Sequence, residues 1–159
     1  MVLEFFLILD VIGLGILLGG GIYESAVINP NGRANIPDSL SHLRNFMKVR
    51  TPANLFRVAS PATMISLIVT VIFCWQMTAA LLLFLCAFVV LAAADTITYT
   101  FHYQRNKILF IDPLSSDTEM LQRLAKQRQT GNLVRIALMT IAMTNVVFGI
   151  VSLASGSGA

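Results

Sequence analysis

Four ionisable side chains interrupt long apolar stretches of this sequence. Glu24 and Asp95 are acids, and Arg57 and Arg135 are bases. Counted along helices from the outer ends of their stretches, all four lie roughly 25–31 Å deep. An ionisable group at that depth in a membrane is costly unless it is paired or faces a polar cavity, and such groups default towards function. The pattern predicts one charge-neutral interior layer, which is either a functional pocket or a set of structural contacts that fix helix register.

Further polar residues extend this layer. One face of a single helix is predicted to carry residues spaced four, three and four apart, which are Asp95, Tyr99, His102 and Asn106. In the last apolar stretch Asn132 stands one turn before Arg135. Together these residues predict a polar pocket that opens towards the cytoplasm. We expect no cofactor; the alternative is a metal ion held by His102 with Asp95 or Glu24, although no cluster of histidines accompanies it.

The composition indicates an integral membrane protein. Of the 159 residues 56% are hydrophobic and 12% are charged, whereas soluble domains carry about 25% charged residues. A helix that crosses a bilayer needs about 20 apolar residues. Four stretches are long enough, near residues 3–27, 53–75, 78–101 and 132–154. The sequence therefore predicts one all-α domain over 1–159, a four-transmembrane-helix bundle in which the Asn29-Pro30 pair ends the first helix.

The two long connections are predicted to contain amphipathic helices. Leu40, Leu43, Phe46 and Met47 recur at helical spacing after Asp38, a candidate N-cap, and Thr51 and Pro52 are typical of the start of the second span. In the other connection Ser116 and Glu119 have capping-box spacing. That helix is expected to continue through Gly131 into the last span, with Arg128 in its solvated part.

Lysine and arginine are confined to one side of the predicted spans. They lie in or beside the two long connections, and the opposite side has none. The positive-inside rule places both connections in the cytoplasm and both termini outside the cell membrane. No nucleic-acid partner is expected, because the basic residues flank apolar spans instead of forming one face.

Two features of the first span concern helix contacts. Gly15 and Gly19 form a Gly-x-x-x-Gly pair, which predicts close helix packing, either inside the bundle or between two copies of the chain. Asp10 lies in the outer half of the span. We expect it to pair with polar residues of the last helix, which are Thr140, Thr144 or Asn145.

Three segments carry a resemblance to a known family. The stretch "GGGIYESAVINP", the later "TYTFHYQRNKILFIDP" and the "GNLVR" that enters the last span resemble the anthrone oxygenase-like family of small four-helix membrane proteins, over nearly the whole chain. The resemblance points to Tyr23, Glu24, Pro30, Asn106, Asn132 and Arg135. One departure is that Arg128 stands where the family pattern has a tryptophan, so no aromatic substrate contact is expected there.

The resemblance implies an oxidoreductase that oxidises a lipophilic aromatic or quinone-like molecule with O₂ and no cofactor. An anthrone is a carbon acid, so the protein needs a base, a cation for the developing oxyanion and a dry pocket. Asp95 or Glu24 is the candidate base, and Arg135 or Arg57 the candidate oxyanion partner. Tyr23, Tyr99, His102, Asn106 and Asn132 are the candidate substrate contacts. The alternatives are a non-enzymatic protein that binds or transports a lipid or small molecule, and a structural subunit of a membrane complex.

Overall fold

The computed structural model describes residues 1–112, 115 and 117–156. This part of the chain is helical and contains no strand. The helices are α1 (Val2–Arg33), α2 (Asp38–Phe46), α3 (Pro52–Phe73), α4 (Thr78–Ile111) and α5 (Thr118–Gly156). Four of them, α1, α3, α4 and α5, are long and apolar enough to cross a membrane. The all-α class is therefore confirmed, and the four apolar helices support a membrane protein.

Helix α1 does not end at Asn29-Pro30, and that prediction is wrong. A π-helical turn over Glu24–Ile28 precedes the proline, and Asn29 donates its N–H to the carbonyl of Glu24. Proline lacks an N–H and would normally interrupt the helix. Here it follows a turn in which the hydrogen-bond ladder has already changed register. The Asn31 side chain also donates to the carbonyl of Val27 at 2.8 Å, so the helix continues to Arg33.

Helices α4 and α5 extend well beyond the apolar stretches that predict them. Helix α4 contains two more π-helical turns, Thr98–His102 and Lys107–Ile111. Helix α5 passes through Gly131 without a break, as the sequence predicts. Turns of this kind are rare and occur often at functional sites. Glu24 and His102 each stand in one of them, so the irregular backbone coincides with the predicted polar layer.

The four long helices pack around a main apolar core. Helix α5 contacts α4 and α1, and α3 contacts α1 and α4. Side chains that are almost fully buried fill the space between them, and they include Leu14, Leu67, Phe84, Leu91, Met139 and Val146. Interdigitated side chains of this kind fix the distance and rotation of the helices. The core therefore holds the polar layer at one end of the helices in a defined geometry.

A second, smaller core joins α2 to the ends of α4 and α5 through Leu40, Leu109, Leu121 and Ala125. Beside it, the Arg44 guanidinium donates to the carbonyls of Ile108, Leu109 and Asp112 at 2.8, 2.7 and 2.6 Å. These carbonyls end helix α4 and have no partner within the helix. Burial lowers the pKa of Arg44, and the carboxylate of Asp112 acts in the opposite direction.

The structure confirms some of the predicted helix caps and not others. Thr51 precedes α3 and donates its N–H to the Asn54 side chain at 2.9 Å, with Pro52 as the first helical residue, so this prediction is confirmed. Asp38 is wrong as a cap, because it is itself the first residue of α2 and Pro37 precedes it. Ser116, the predicted cap of α5, lies outside the described residues.

The position of Asp10 also differs from the prediction. Its carboxylate is buried and accepts a hydrogen bond from the Thr70 hydroxyl of α3 at 2.6 Å. Thr140, Thr144 and Asn145 instead donate to carbonyls of their own helix, four residues earlier. The predicted contact between Asp10 and α5 is wrong because α1 turns its polar side towards α3.

Gly131 marks a close approach between α4 and α5. A Cβ at this position would lie 2.8 Å from a ring carbon of Phe101 and 3.0 Å from Nε2 of His102. Forcing extra volume into a packed contact typically costs about 1–3 kcal/mol. We expect Gly131→Ala to lower the melting temperature in detergent, and to displace His102.

Gly19→Ala is the matched control, because a Cβ at Gly19 would meet nothing within 4 Å. In an exposed helix alanine is favoured over glycine by about 1 kcal/mol, so this variant should melt at or above the temperature of the parent. Equal melting temperatures for the two variants would contradict a close contact at Gly131. Gly15 and Gly19 are both exposed, so a contact between two copies through them stays a prediction.

Candidate functional site

A cleft opens at the polar end of the four long helices, and each of them contributes to its wall. It encloses about 660 Å³ of empty space, including the part that is open to the outside. Seven of the nine residues predicted for the site line it, and they are Glu24, Arg57, Asp95, Tyr99, His102, Asn106 and Arg135. The two acids and two bases of the predicted layer therefore surround one cleft.

Glu24 is held by two arginines of α5. Its Oε1 accepts a hydrogen bond from Nη2 of Arg128 at 2.5 Å, and its Oε2 lies 3.8 Å from Nη2 of Arg135. Arg128 also donates to the side chains of Asn29 and, at 2.7 Å, Asn106. Its guanidinium therefore joins α1, α4 and α5, and both carboxylate oxygens of Glu24 face arginines of α5.

Arg128 is the functional residue that sequence reasoning placed wrongly. It was expected in a solvated helix, but only 6% of it is exposed. A signal was present, because Arg128, Asn132 and Arg135 are spaced four and three apart and share a helical face. A long arginine side chain on that face reaches the carboxylate of Glu24 from outside the apolar stretch.

Asp95 has a different environment from Glu24. It is half-buried on α4, and its Oδ2 accepts a hydrogen bond from the Ser60 hydroxyl of α3. Among the described residues no lysine or arginine forms an ion pair with it. Ser60 was not predicted; it stands one turn after Arg57 on the face of α3 that meets α4. Asp95 is thus the carboxylate that stays available in the cleft.

Arg135 is buried but weakly held. Only 4% of it is exposed, and its guanidinium stacks over the ring of Phe56 at 4.0 Å from the ring centre. Within the described part of the chain the Arg135 side chain makes no hydrogen bond, and its buried Nη2 has no acceptor. A guanidinium carries five N–H donors. Arg135 therefore presents unused donors beside Glu24 and in the wall of the cleft that holds Asp95.

Arg57 does not join the internal pairs, and the predicted arrangement of two acids facing two bases is wrong in this respect. Its side chain is exposed at the rim of the cleft. In the described part of the chain it forms no ion pair with Glu24 or Asp95. The reason is that Arg128 takes the position beside Glu24. The groups in and around the cleft are therefore two carboxylates and three guanidiniums.

The remaining predicted contacts fall into three groups. His102 is buried in the cleft wall, and its Nε2 has no hydrogen-bond partner among the described residues. Tyr99 and Asn106 line the cleft, and Tyr99 is 68% exposed at its edge. Tyr23 and Asn132 lie outside the lining. Tyr23 is exposed, whereas Asn132 is buried and donates to the carbonyl of Gly21 at 2.9 Å, so it joins α1 to α5.

A metal ion at His102 was the alternative to a site without cofactor. Within residues 1–112, 115 and 117–156, no group of three or more His, Cys, Asp or Glu side chains is close enough together to hold a metal ion. His102, Asp95 and Glu24 line the same cleft but do not form such a group.

The cleft continues into an adjoining groove of about 570 Å³, which is also partly open. The two share six lining residues, which are Glu24, Ala53, Arg57, Tyr103, Asn106 and Arg128. Beyond them the groove is bordered mainly by apolar side chains, including Met47, Pro52, Phe110 and Ile111.

Over the described residues the chain is therefore a helical protein with four helices long and apolar enough to span a membrane and a cleft lined by charged residues at one end of them. No protein-family model, no curated protein and no solved structure matches this chain.

Proposed function

We propose that the protein is a membrane-embedded oxidoreductase of the anthrone oxygenase type, which acts on a lipophilic aromatic or quinone-like molecule in the cleft. One observation carries the proposal. Among the described residues the buried guanidinium of Arg135 has no hydrogen-bond partner, and it lines the same cleft as Asp95, a carboxylate without an ion pair in that part of the chain. A base and a cation with free N–H donors in one partly closed space are the groups that carbon-acid chemistry needs.

The proposed reaction begins with proton transfer. Asp95 removes a proton from the methylene carbon of an anthrone, and the electron pair moves to the carbonyl oxygen, which becomes an oxyanion next to Arg135. The electron-rich anion then reduces O₂. The methylene carbon loses two hydrogens and gains one oxygen as a new carbonyl, while the second oxygen atom leaves as water. O₂ is the only oxidant required, and Ser60 orients the carboxylate through its hydrogen bond.

Glu24 has a positioning role in this proposal. Its carboxylate accepts a hydrogen bond from Arg128 at 2.5 Å on one oxygen and lies 3.8 Å from Arg135 on the other, so both oxygens already face arginines of α5. Its charge holds Arg128 and Arg135 in the low-dielectric interior. This assigns the two acids different roles, which the sequence left open.

The proposal also includes the orientation of the protein in the membrane. The four apolar helices form a bundle in the cell membrane, both termini lie outside, and the cleft opens near the cytoplasmic edge of the bilayer. Helix α2 lies at this edge as an amphipathic helix, with Leu40 buried against the protein and Phe46 76% exposed. The support is that lysine and arginine lie in or beside the two long connections, all at the same end of the predicted spans.

Cysteine labelling on intact cells tests this orientation. In a Cys86→Ala background, Ser41→Cys and Gln122→Cys are expected to resist a membrane-impermeant maleimide until the cells are permeabilised, because both positions lie in the cytoplasmic connections. Gln76→Cys, in the turn between α3 and α4, is the control and should react on intact cells. All three native positions are exposed in the structure. Labelling of Ser41→Cys from outside would reverse the orientation and the side to which the cleft opens.

Oxygen consumption tests the activity itself. Purified protein in detergent, supplied with an anthrone, is expected to consume one O₂ for each anthraquinone formed, at a rate proportional to the protein concentration. A rate equal to that of the detergent blank, over a range of anthrones and lipophilic phenols, would contradict the enzyme. In that case binding of the same compounds, measured by quenching of protein fluorescence, would favour the non-enzymatic binding protein, whereas no binding would favour a structural subunit.

A further inference from the structure

A second groove lies outside the cleft, between the end of α1 and the start of α5. It contains about 740 Å³ of empty space, including its open side. Its lining carries three cations and one carboxylate, which are Arg33, Arg123, Lys126 and Glu119. The groove therefore carries a net positive charge, and none of these residues belongs to the proposed active site.

Two of the three cations are free to bind a ligand. Arg123 is engaged, because its Nη2 lies 3.3 Å from Oε1 of Glu119. The side chains of Arg33 and Lys126 make no hydrogen bond and no ion pair among the described residues. They come from different helices and line the same groove. A group with negative charge and several acceptor oxygens satisfies both of them, and phosphate is the group that guanidinium and ammonium bind best in common.

The residues around the groove favour a membrane lipid as the source of such a phosphate group. On α5, Lys126 shares a helical face with Leu133 and Val134, which are seven and eight residues further along the helix. Both are large exposed apolar side chains. Along the axis of α5 the exposed cation therefore lies about 10 Å from the exposed apolar side chains. Such a change from charged to apolar surface is typical of the place where a helix enters a bilayer. Basic grooves between spanning helices on this side of a membrane bind the headgroups of anionic lipids.

We infer that the groove of Arg33, Arg123 and Lys126 binds the phosphate group of an anionic membrane lipid, whose acyl chains lie along the exposed face of α5. The site does not depend on the proposed enzymatic activity. It depends on the four helices crossing a bilayer, and it gives the end of α1 and the start of α5 a shared ligand on the outside of the protein.

Lipid titration tests this inference. Delipidated protein in detergent is titrated with phosphatidylglycerol, with phosphatidylcholine as the neutral lipid, and binding is followed by native mass spectrometry and by the shift in melting temperature. The parent should bind phosphatidylglycerol more tightly than phosphatidylcholine. Arg33→Gln with Lys126→Gln should weaken phosphatidylglycerol binding roughly 30-fold, as expected for two cations at a membrane surface. Lys126→Gln alone should weaken it roughly 5-fold.

The matched control is Lys48→Gln with Arg50→Gln, which removes two exposed cations after α2 and leaves the groove intact. It should bind phosphatidylglycerol as the parent does. Equal affinity of the parent, the groove variants and this control would overturn the site. A separate titration with inorganic phosphate distinguishes the source: stabilisation of the parent by phosphate alone, with no further effect of phosphatidylglycerol, would overturn the assignment to a lipid.

Discussion

Asp95→Asn is expected to lower the rate of anthrone oxidation by roughly 10²–10⁴-fold while the melting temperature stays close to that of the parent. An amide cannot accept the proton, so the first step is lost. The fold should persist, because the amide oxygen can still accept the hydrogen bond from Ser60 and Asp95 forms no ion pair with the described residues. The measurement is the initial rate of oxygen uptake at saturating anthrone, divided by the amount of folded protein.

Asp38→Asn is the control for this prediction, because Asp38 is an exposed aspartate at the start of α2. It should keep the activity of the parent. Ser60→Ala should retain more activity than Asp95→Asn, since it removes a group that orients the base and not the base itself. If Asp95→Asn turned over at the rate of Asp38→Asn, Asp95 would not be the base.

The second large effect concerns stability. Glu24→Gln is expected to destabilise the protein by about 3–5 kcal/mol, the usual cost of removing one partner of a buried ion pair. The carboxylate is the shared anion of Arg128 and Arg135. Without it two buried guanidiniums of like charge face each other. Thermal and denaturant unfolding in detergent measure the loss, and activity per folded molecule should fall less than in Asp95→Asn.

Glu119→Gln is the matched substitution at the surface. Glu119 pairs with Arg123 at 3.3 Å, and both side chains are largely exposed, so the pair contributes about 0–1 kcal/mol. Combining Glu24→Gln with Arg128→Gln should cost less than the sum of the two single changes, because the double variant leaves fewer uncompensated charges. Equal destabilisation by Glu24→Gln and Glu119→Gln would mean that Glu24 is not part of a buried network.

Much of the fold follows from the sequence because membrane-spanning helices have a simple physical requirement. The apolar length fixes the number of long helices, and the constant rise per residue fixes which side chains reach the same depth. The number of residues from the outer end of each helix predicts the same depth for Glu24, Asp95 and Arg135. The structure places all three around one cleft. The face of α4 that carries Asp95, Tyr99, His102 and Asn106 was read from helical spacing in the same manner.

The hydrogen-bond and ion-pair partners of the buried polar residues could not be predicted from the sequence, because they depend on helix rotation and on side-chain length. The sequence predicts the helix that carries Arg128 but places this residue in its solvated part, because it stands outside the apolar stretch; its long side chain nevertheless reaches Glu24. Asp10 was assigned to α5 because that helix offers three polar side chains, yet its partner Thr70 lies on α3. No sequence pattern indicated the π-helical turns that set the positions of Glu24 and His102.

The central claim is that a lipophilic carbonyl compound binds between Asp95 and Arg135. An experimental structure of the protein with a bound anthraquinone, the product of the proposed reaction, tests it most directly. Density for the rings is expected in the cleft, with one carbonyl oxygen within about 3 Å of a nitrogen of the Arg135 guanidinium. The second carbonyl, which replaces the methylene group of the substrate, should lie next to the carboxylate of Asp95. Density confined to the outer surface of the helices, with the Arg135 guanidinium left without a ligand, would contradict it.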